Sequence, residues 1–138
     1  MQLDLSSLKK SVEVLHRSIK VAGVELNLSK KDLRETIRAG VIQNFEVAYE
    51  QSWKMMKRWL EENIGSTYVD GVTRRELFRL AAENRLISDV NRWMEYHHSR
   101  NLTTHTYDED TAEEVFQTAN YFQTDAKKLV KELDIRND

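Results

Sequence analysis

The amino-acid sequence predicts an all-α protein, and three observations lead to this class. The 138 residues include no proline and only four glycines, so few residues interrupt helices. Apolar residues recur at intervals of three and four over long stretches, which is the spacing of one helix face. The connections between these stretches are short. We therefore expect an antiparallel up-down bundle of about five helices with a four-helix core.

The first predicted helix carries an apolar stripe that stops before Gly23. Residues 24–28 alternate briefly between apolar and polar side chains, but no second strand lies nearby in the sequence. We therefore interpret them as a connector packed on the bundle. Ser29 is predicted to cap the second helix, with Asp32 in its first turn. The apolar stripe of the first predicted helix comprises Leu5, Leu8, Val12, Leu15, Ile19 and Ala22.

The second predicted helix spans about residues 30–64, and Gly65 supplies its end. At about 1.5 Å per residue it would be roughly 50 Å long, which is unusual in a small domain. Gly40 is therefore predicted to mark a bend or a break, and one helix face is predicted to meet a partner. The large apolar side chains are predicted to be core or dimer contacts rather than a ligand-binding cluster: Trp53, Met55, Met56 and Trp59.

The third predicted helix opens with a capping box at residues 73–76 and ends near Arg85. The segment before it, residues 66–72, is predicted to be a flexible loop. The arginines of the third and fourth helices give a mildly positive surface. Most of them, with the exception of Arg100, are predicted to form a solvated face with ion pairs inside each helix. The expected pairs are Glu76 with Arg79 and Asp89 with Arg92.

Two further helices complete the predicted bundle. Ser88 is predicted to open the fourth helix, and Thr111 with Glu114 to cap the fifth. The fifth helix has acidic residues near its start and lysines near its end, an order that complements the helix dipole. Its buried stripe is predicted to consist of Ala112, Val115, Ala119, Phe122, Ala126, Leu129 and Leu133.

Composition limits the class of protein. With 40% apolar residues, the chain suffices for one domain over residues 1–138. No cysteine is present, which excludes disulfides, thiolate zinc sites and a cysteine nucleophile. Neither a targeting segment nor a stretch of roughly 20 apolar residues occurs, so we expect a cytoplasmic protein without a membrane segment. A net charge of −2 provides no general attraction for nucleic acid, so RNA binding must come from a local patch.

A histidine metal site is not expected. His97, His98 and His105 are the candidate ligands, but adjacent histidines on a helix point about 100° apart. No carboxylate stands at a ligand-like spacing from them. We therefore predict neither a bound metal nor a cofactor.

The residues best suited to chemistry lie at positions 100–108, between the fourth and fifth helices. Three threonines there are poor helix formers, which predicts a helix break after Asn101. On an unbroken helix Arg100 and His105 would point about 140° apart, whereas the break lets both face one cleft. A forked, permanently charged donor and an imidazole that titrates near neutrality suit phosphate. The alternative is an arginine that caps a helix, followed by a loop histidine without a chemical role.

This segment resembles a known motif. Arg100, Asn101, His105 and Tyr107 match the Arg-x(4–6)-His signature of HEPN domains, with the tyrosine that follows it. These small helical proteins include RNA-cleaving toxins and partners of minimal nucleotidyltransferases. The resemblance runs from about residue 31 to residue 133 and is closest to the nucleotidyltransferase substrate-binding subfamily. The further matching stretches are residues 41–46, 49–54 and 86–89, together with Trp93.

The resemblance implies two functions. In the first, the protein is a metal-independent ribonuclease toxin: the RNA supplies its 2′-hydroxyl as nucleophile, His105 acts as general base or acid, and Arg100 stabilises charge on the phosphorus. In the second, it is a non-catalytic partner of a separately encoded minimal nucleotidyltransferase. The same two side chains then hold the phosphate of RNA or a nucleotide, and Asn101 and Tyr107 contribute to binding. The subfamily favours the second function.

Resemblance to HEPN toxin–antitoxin pairs connects the two functions. In such pairs the nucleotidyltransferase adds AMP to the tyrosine of the His-x-Tyr element and silences the toxin; Tyr107 is the matching residue here. We also predict a homodimer with two facing 100–107 segments, because one nearly neutral bundle has little positive surface to hold RNA. A third hypothesis is a dimeric helical adaptor without a ligand.

Overall fold

The computed structural model describes residues 2–25 and 30–137, and within these ranges it contains helices and turns but no strand. The all-α prediction is confirmed, with six α-helices rather than five in the described ranges. None of these helices combines the length and the apolar content needed to cross a membrane. The helices are α1 (Ser6–Glu25), α2 (Lys31–Ile64), α3 (Ser66–Val69), α4 (Arg74–Glu83), α5 (Val90–Asn101) and α6 (Glu109–Ile135).

Helix α1 runs antiparallel to α6. At one end the Leu3 backbone N–H donates to Asn137 Oδ1 at 2.8 Å, and further along α1 the His16 ring nitrogen Nδ1 lies 3.0 Å from Gln123 Oε1. The predicted stop before Gly23 is wrong, because α1 continues through this glycine to Glu25. A single glycine costs a helix only about 1 kcal/mol. The predicted Ser29 cap and the last three residues of the predicted connector lie outside the described residues.

Helix α2 runs parallel to α6, as diagonal helices do in an up-down bundle. Arg38 Nη1 donates to Glu109 Oε1 at 2.7 Å near the start of both helices, and further along both of them the rings of Phe45 and Phe122 pack with centroids 5.2 Å apart. The predicted break at Gly40 is wrong: α2 is continuous over 34 residues. Buried side chains that follow Gly40 hold this part of α2 on the core, which offsets the poor helix propensity of glycine.

The core centres on Phe122, which is fully buried. The rings of Phe45, Trp93 and Tyr96 lie edge-on to it, with centroids 5.2, 5.6 and 5.1 Å away, the arrangement that aromatic quadrupoles favour. This cluster joins α2, α5 and α6. All seven positions of the predicted α6 stripe are buried, and so are Met55, Met56 and Trp59 of α2.

The segment predicted to be a flexible loop is ordered. Residues 66–69 form the short helix α3, and Val69 is fully buried. Gly65 ends α2 as predicted, with φ of 101°, a conformation that glycine adopts without strain. The loop prediction failed because two valines anchor the segment: Val69 is buried, and Val72 packs partly buried against the core.

Aspartates, rather than the predicted Ser88 and Thr111, cap two helices. The Asp89 carboxylate accepts the backbone N–H of Arg92 at 3.0 Å, and the Asp108 carboxylate accepts that of Thr111 at 3.0 Å. Each aspartate stands three residues before the N–H that it accepts, which is the spacing of an N-cap. The Thr73 cap of α4 is confirmed, since its hydroxyl accepts the backbone N–H of Glu76.

Candidate functional site

The predicted helix break is present. Helix α5 ends at Asn101, and the chain tightens into a 3₁₀ turn over Leu102–His105. Threonine hydroxyls bond back to the preceding turn: Thr103 Oγ1 donates to the Arg100 carbonyl at 2.8 Å, and Thr106 Oγ1 to that of Thr103 at 3.2 Å. These local bonds compete with a regular helix, which is why the α-helical pattern stops here.

Arg100 packs against α2, where two carboxylates hold its guanidinium. Nε donates to Glu50 Oε1 at 3.2 Å, Nη2 lies 3.4 Å from Glu46 Oε1, and Nη1 donates to Thr103 Oγ1 at 3.3 Å. Since Arg100 on α5 meets Glu46 while His97 meets Tyr49, α5 runs antiparallel to α2. A guanidinium has donors on all three nitrogens, so these contacts leave N–H groups for a phosphate oxygen.

The two glutamates were not assigned a role from the sequence. They stand four residues apart on one face of α2, a spacing that places two carboxylates side by side. This spacing indicates a pair of carboxylates, but the neighbouring sequence does not indicate which arginine the pair contacts. Because Glu46 and Glu50 neutralise much of the charge on Arg100, this arginine alone does not make a positive patch.

His105 and Tyr107 lie at the exposed end of the turn. Tyr107 is 86% exposed, and its Oη lies 3.5 Å from Nδ1 of His105, with the ring centroids 6.0 Å apart. Asn101, the last residue of α5, is also exposed. Within the described ranges no hydrogen bond joins Arg100 to His105. The shared cleft for these two side chains therefore stays a prediction.

A cavity of about 280 Å³ lies beside Tyr107, between α2 and α6. Arg38 lines it and donates to both carboxylate oxygens of Glu109, at 2.7 and 2.9 Å. Its guanidinium lowers the pKa of the Glu109 carboxyl, and that carboxylate in turn raises the pKa of Arg38. This pair fixes the first turn of α6, two residues after Tyr107. It joins residues 71 positions apart, so no sequence pattern indicates it.

A second polar cluster lies next to Arg100. The Tyr49 side chain is fully buried; its Oη lies 2.8 Å from Nδ1 of His97 and accepts from Arg74 Nη1 at 2.9 Å. Burial raises the pKa of Tyr49 to about 12, although the Arg74 charge opposes the shift. Burial also lowers the pKa of His97, and the charges of Arg74 and Arg100 add to that effect. A neutral His97 whose Nδ1 accepts a hydrogen bond from the Tyr49 hydroxyl fits both the raised pKa of Tyr49 and the lowered pKa of His97.

The lowered pKa of His97 predicts how stability depends on pH. An unfolded histidine takes up a proton near its ordinary value of 6.5, whereas the folded protein binds that proton only at lower pH. The contribution of His97 to the free energy of unfolding is therefore expected to fall as pH drops below 6.5 and to level off below the folded pKa. Urea unfolding at a series of pH values measures this.

The exposed neighbour of His97 provides the control for that measurement. His97→Gln is expected to flatten the pH dependence in this range, whereas His98→Gln on the same helix keeps it. If both variants lost stability on acidification as the parent does, His97 would not be the group responsible.

Of the two predicted ion pairs, Glu76 with Arg79 is confirmed and Asp89 with Arg92 is wrong. Arg79 donates to Glu76 and to Glu83, the latter at 2.7 Å, within α4. Arg92 does not pair with Asp89, whose carboxylate caps α5, but lies 3.3 Å from Asp125 of α6. In the described part of the chain, no group of three histidine, aspartate or glutamate side chains is arranged to hold a metal ion.

Comparison with known proteins identifies the family. The family model described as nucleotidyltransferase substrate binding protein like matches residues 3–135. The chain belongs to this family. The match extends over the bundle and the whole turn that carries Arg100, His105 and Tyr107, and it confirms the resemblance inferred from those residues.

A curated relative and a solved structure, both from Haemophilus influenzae, illustrate the relationship. A probable ribonuclease HepT is 36% identical over 106 residues, which cover 76% of this chain and 73% of the relative. A solved structure, described as the fold of a substrate-binding domain of a nucleotidyltransferase, has a TM-score of 0.90 at 29% identity. The match covers 95% of this chain and 99% of the chain in the solved structure. A Thermus thermophilus structure has a TM-score of 0.71 at 25% identity, covering 89% of this chain and 98% of its own.

Proposed function

We propose that this protein is the HEPN component of a toxin–antitoxin pair with a separately encoded minimal nucleotidyltransferase. Arg100 and His105 bind the phosphate of RNA or a nucleotide, Asn101 and Tyr107 contribute to binding, and Tyr107 is the residue to which AMP is added. Both proteins act in the cytoplasm. Family membership supports the link to a nucleotidyltransferase. The solved relative described as a substrate-binding domain supports it as well.

One observation carries the proposal: the hydroxyl of the highly exposed Tyr107 lies beside the ring of His105, 3.5 Å from Nδ1. An AMP on that oxygen brings a phosphate and a nucleoside against the imidazole. The added group would cover His105 by bulk and place a negative charge where an RNA phosphate would bind. Modification of this tyrosine is therefore suited to control the neighbouring histidine.

The other tyrosines are less suited to modification. Tyr49 and Tyr96 are buried. Tyr68 and Tyr121 are exposed, but both lie within helices, where the backbone is held by helix hydrogen bonds. Tyr107 stands in the turn before α6, where the backbone can enter a second active site. Mass spectrometry after co-expression with the nucleotidyltransferase tests this choice.

A second candidate function is a ribonuclease that is active without a partner, and the name of the relative, probable ribonuclease HepT, favours it. The 2′-hydroxyl of the RNA attacks the adjacent phosphorus, the bond to the 5′-oxygen breaks, and a cyclic phosphate forms. His105 takes the proton from the 2′-hydroxyl or gives one to the leaving oxygen. Arg100 stabilises the extra negative charge on the phosphoryl oxygens. No cofactor enters this reaction.

The protein is expected to be a homodimer in which two 100–107 segments face one cleft. A single copy offers one Arg100, part of whose charge Glu46 and Glu50 balance, whereas two facing copies bring two such guanidiniums to one cleft. Sedimentation at micromolar concentration is expected to give twice the chain mass of 16.3 kDa. A monomer under these conditions would contradict the shared cleft.

A further inference from the structure

Within the described ranges, Arg74 differs from Arg100 in forming no ion pair with a carboxylate. Its contacts are the Tyr49 hydroxyl, at 2.9 Å, and the face of the Trp53 ring, whose centroid lies 3.7 Å from its guanidinium carbon. It is half-buried. In the part of the chain that the structure describes, Arg74 forms no ion pair with a carboxylate. An unneutralised cation held in place by neutral groups is ready to receive an anion.

A further cation accompanies it. Lys54 is exposed and lies 5.9 Å from the centroid of the same Trp53 ring. In the described ranges it forms no ion pair with a carboxylate. We name Arg74, Lys54 and Trp53 the Arg74 surface.

This surface adjoins the motif arginine. The Trp53 indole N–H donates to Glu50 Oε2 at 3.1 Å, and the other oxygen of that carboxylate accepts from Arg100. Arg74 and Arg100 also lie close enough to the His97 ring for both charges to lower its pKa, after the larger effect of burial. An RNA strand whose phosphate is bound at Arg100 therefore lies next to the positively charged Arg74 surface.

We propose that the Arg74 surface is a second phosphate-binding subsite, which holds the backbone of single-stranded RNA beside the phosphate at Arg100. The inference rests on the proposed function, in that RNA is the ligand of the motif. A guanidinium stacked on an indole keeps its edge donors for phosphate oxygens. Positive groups beside an aromatic ring are also typical of surfaces that bind single strands.

The subsite explains how a chain with a net charge of −2 can bind RNA. The carboxylates of Glu46 and Glu50 orient Arg100 but cancel much of its attraction for phosphate. Arg74 and Lys54 form no ion pair with a carboxylate in the described ranges, so the Arg74 surface adds positive charge beside Arg100. Glu50 lies at its edge, where it accepts from the Trp53 indole. A phosphate here would also neutralise a half-buried guanidinium, which adds to the binding free energy.

The chain offers a matched test on one helix. Arg74→Gln and Arg79→Gln each remove one positive charge from α4, but Arg79 is held by Glu76 and Glu83. Fluorescence anisotropy measures Kd over a range of salt concentrations with a labelled single-stranded oligoribonucleotide whose 2′-hydroxyls are methylated. This RNA lacks the nucleophile, so it stays intact while His105 is retained. Arg74→Gln is expected to raise Kd about tenfold. It should also reduce the slope of log K against log salt by about 0.7, whereas Arg79→Gln changes neither.

Further variants separate a lost subsite from a damaged fold. Helicity and melting temperature show whether Arg74→Gln is folded, and Lys54→Gln changes an exposed side chain on the same surface. Lys54→Gln is expected to lower the salt slope in the same direction. Equal Kd values for Arg74→Gln and Arg79→Gln would overturn the proposal. It would also be overturned if Arg74→Gln bound RNA as the parent does but bound the nucleotidyltransferase more weakly.

The two proposals fail separately. A parent chain that bound no oligoribonucleotide would overturn the RNA subsite and leave AMP addition to Tyr107 open. Conversely, the lack of an adduct on Tyr107 would overturn the modification without affecting the anisotropy titrations. Binding that is weakened by Arg74→Gln and Lys54→Gln but not by Arg79→Gln supports the subsite, whether or not Tyr107 is modified.

Discussion

Replacement of His105 by alanine is expected to abolish RNA cleavage and growth inhibition while the fold stays intact. A positioned general acid or base contributes about 10²–10⁴-fold to a rate, so the loss should reach that range. The side chain is exposed at the end of the 3₁₀ turn, beside the exposed Tyr107, so its removal takes nothing from the core. The melting temperature should therefore remain that of the parent.

A second exposed histidine provides the control for this experiment. His98→Ala, on the last turns of α5, removes an exposed imidazole outside the motif and is expected to cleave RNA like the parent. Arg100→Ala should lose cleavage as His105→Ala does, but it also leaves Glu46 and Glu50 without their partner. Parent-like cleavage or toxicity in both motif variants would remove the nuclease hypothesis and leave the binding function.

Addition of AMP to Tyr107 is expected to silence the protein, and Tyr107→Phe is expected to escape silencing. The phenol is 86% exposed, so its replacement by phenylalanine disturbs neither the turn nor the core. The variant keeps Arg100 and His105 but lacks the oxygen that accepts AMP. Its toxicity should persist when the nucleotidyltransferase is co-expressed, whereas that of the parent should disappear.

Two other exposed tyrosines serve as controls for silencing. Tyr68→Phe and Tyr121→Phe alter side chains that are 69% and 61% exposed, and both variants should still be silenced. Cleavage assays on the purified proteins, with and without prior modification, provide the same comparison in solution. Silencing of Tyr107→Phe to the same extent as the parent would mean that inhibition does not act through this oxygen.

Features that depend on neighbouring residues were predictable from the sequence. The helical period identified the buried stripe of α6, and the threonines after Asn101 marked the break that separates α5 from the 3₁₀ turn. The Thr73 cap followed from side chains three residues apart. In each case the determining atoms lie within one or two turns of the chain.

Contacts between distant helices were not predictable in this way. Arg100 meets Glu50 across 50 positions and His97 meets Tyr49 across 48, and both depend on how α2 is aligned against α5. The helical period identifies a face but not its longitudinal alignment with another helix. The sequence therefore indicated Arg100 as a charged residue of the motif, and only the structure revealed its acidic partners and the unneutralised Arg74 nearby.

The central claim, that Tyr107 is the acceptor of AMP from a partner nucleotidyltransferase, is tested most directly by mass spectrometry. The chain is co-expressed with the minimal nucleotidyltransferase proposed as its partner, purified, and measured intact and as peptides. A phenol has a pKa of about 10, so the partner must supply the base or metal that activates it. We expect an AMP adduct on the peptide that contains Tyr107 and none on Tyr107→Phe. No adduct, or an adduct only on another residue, would contradict the claim.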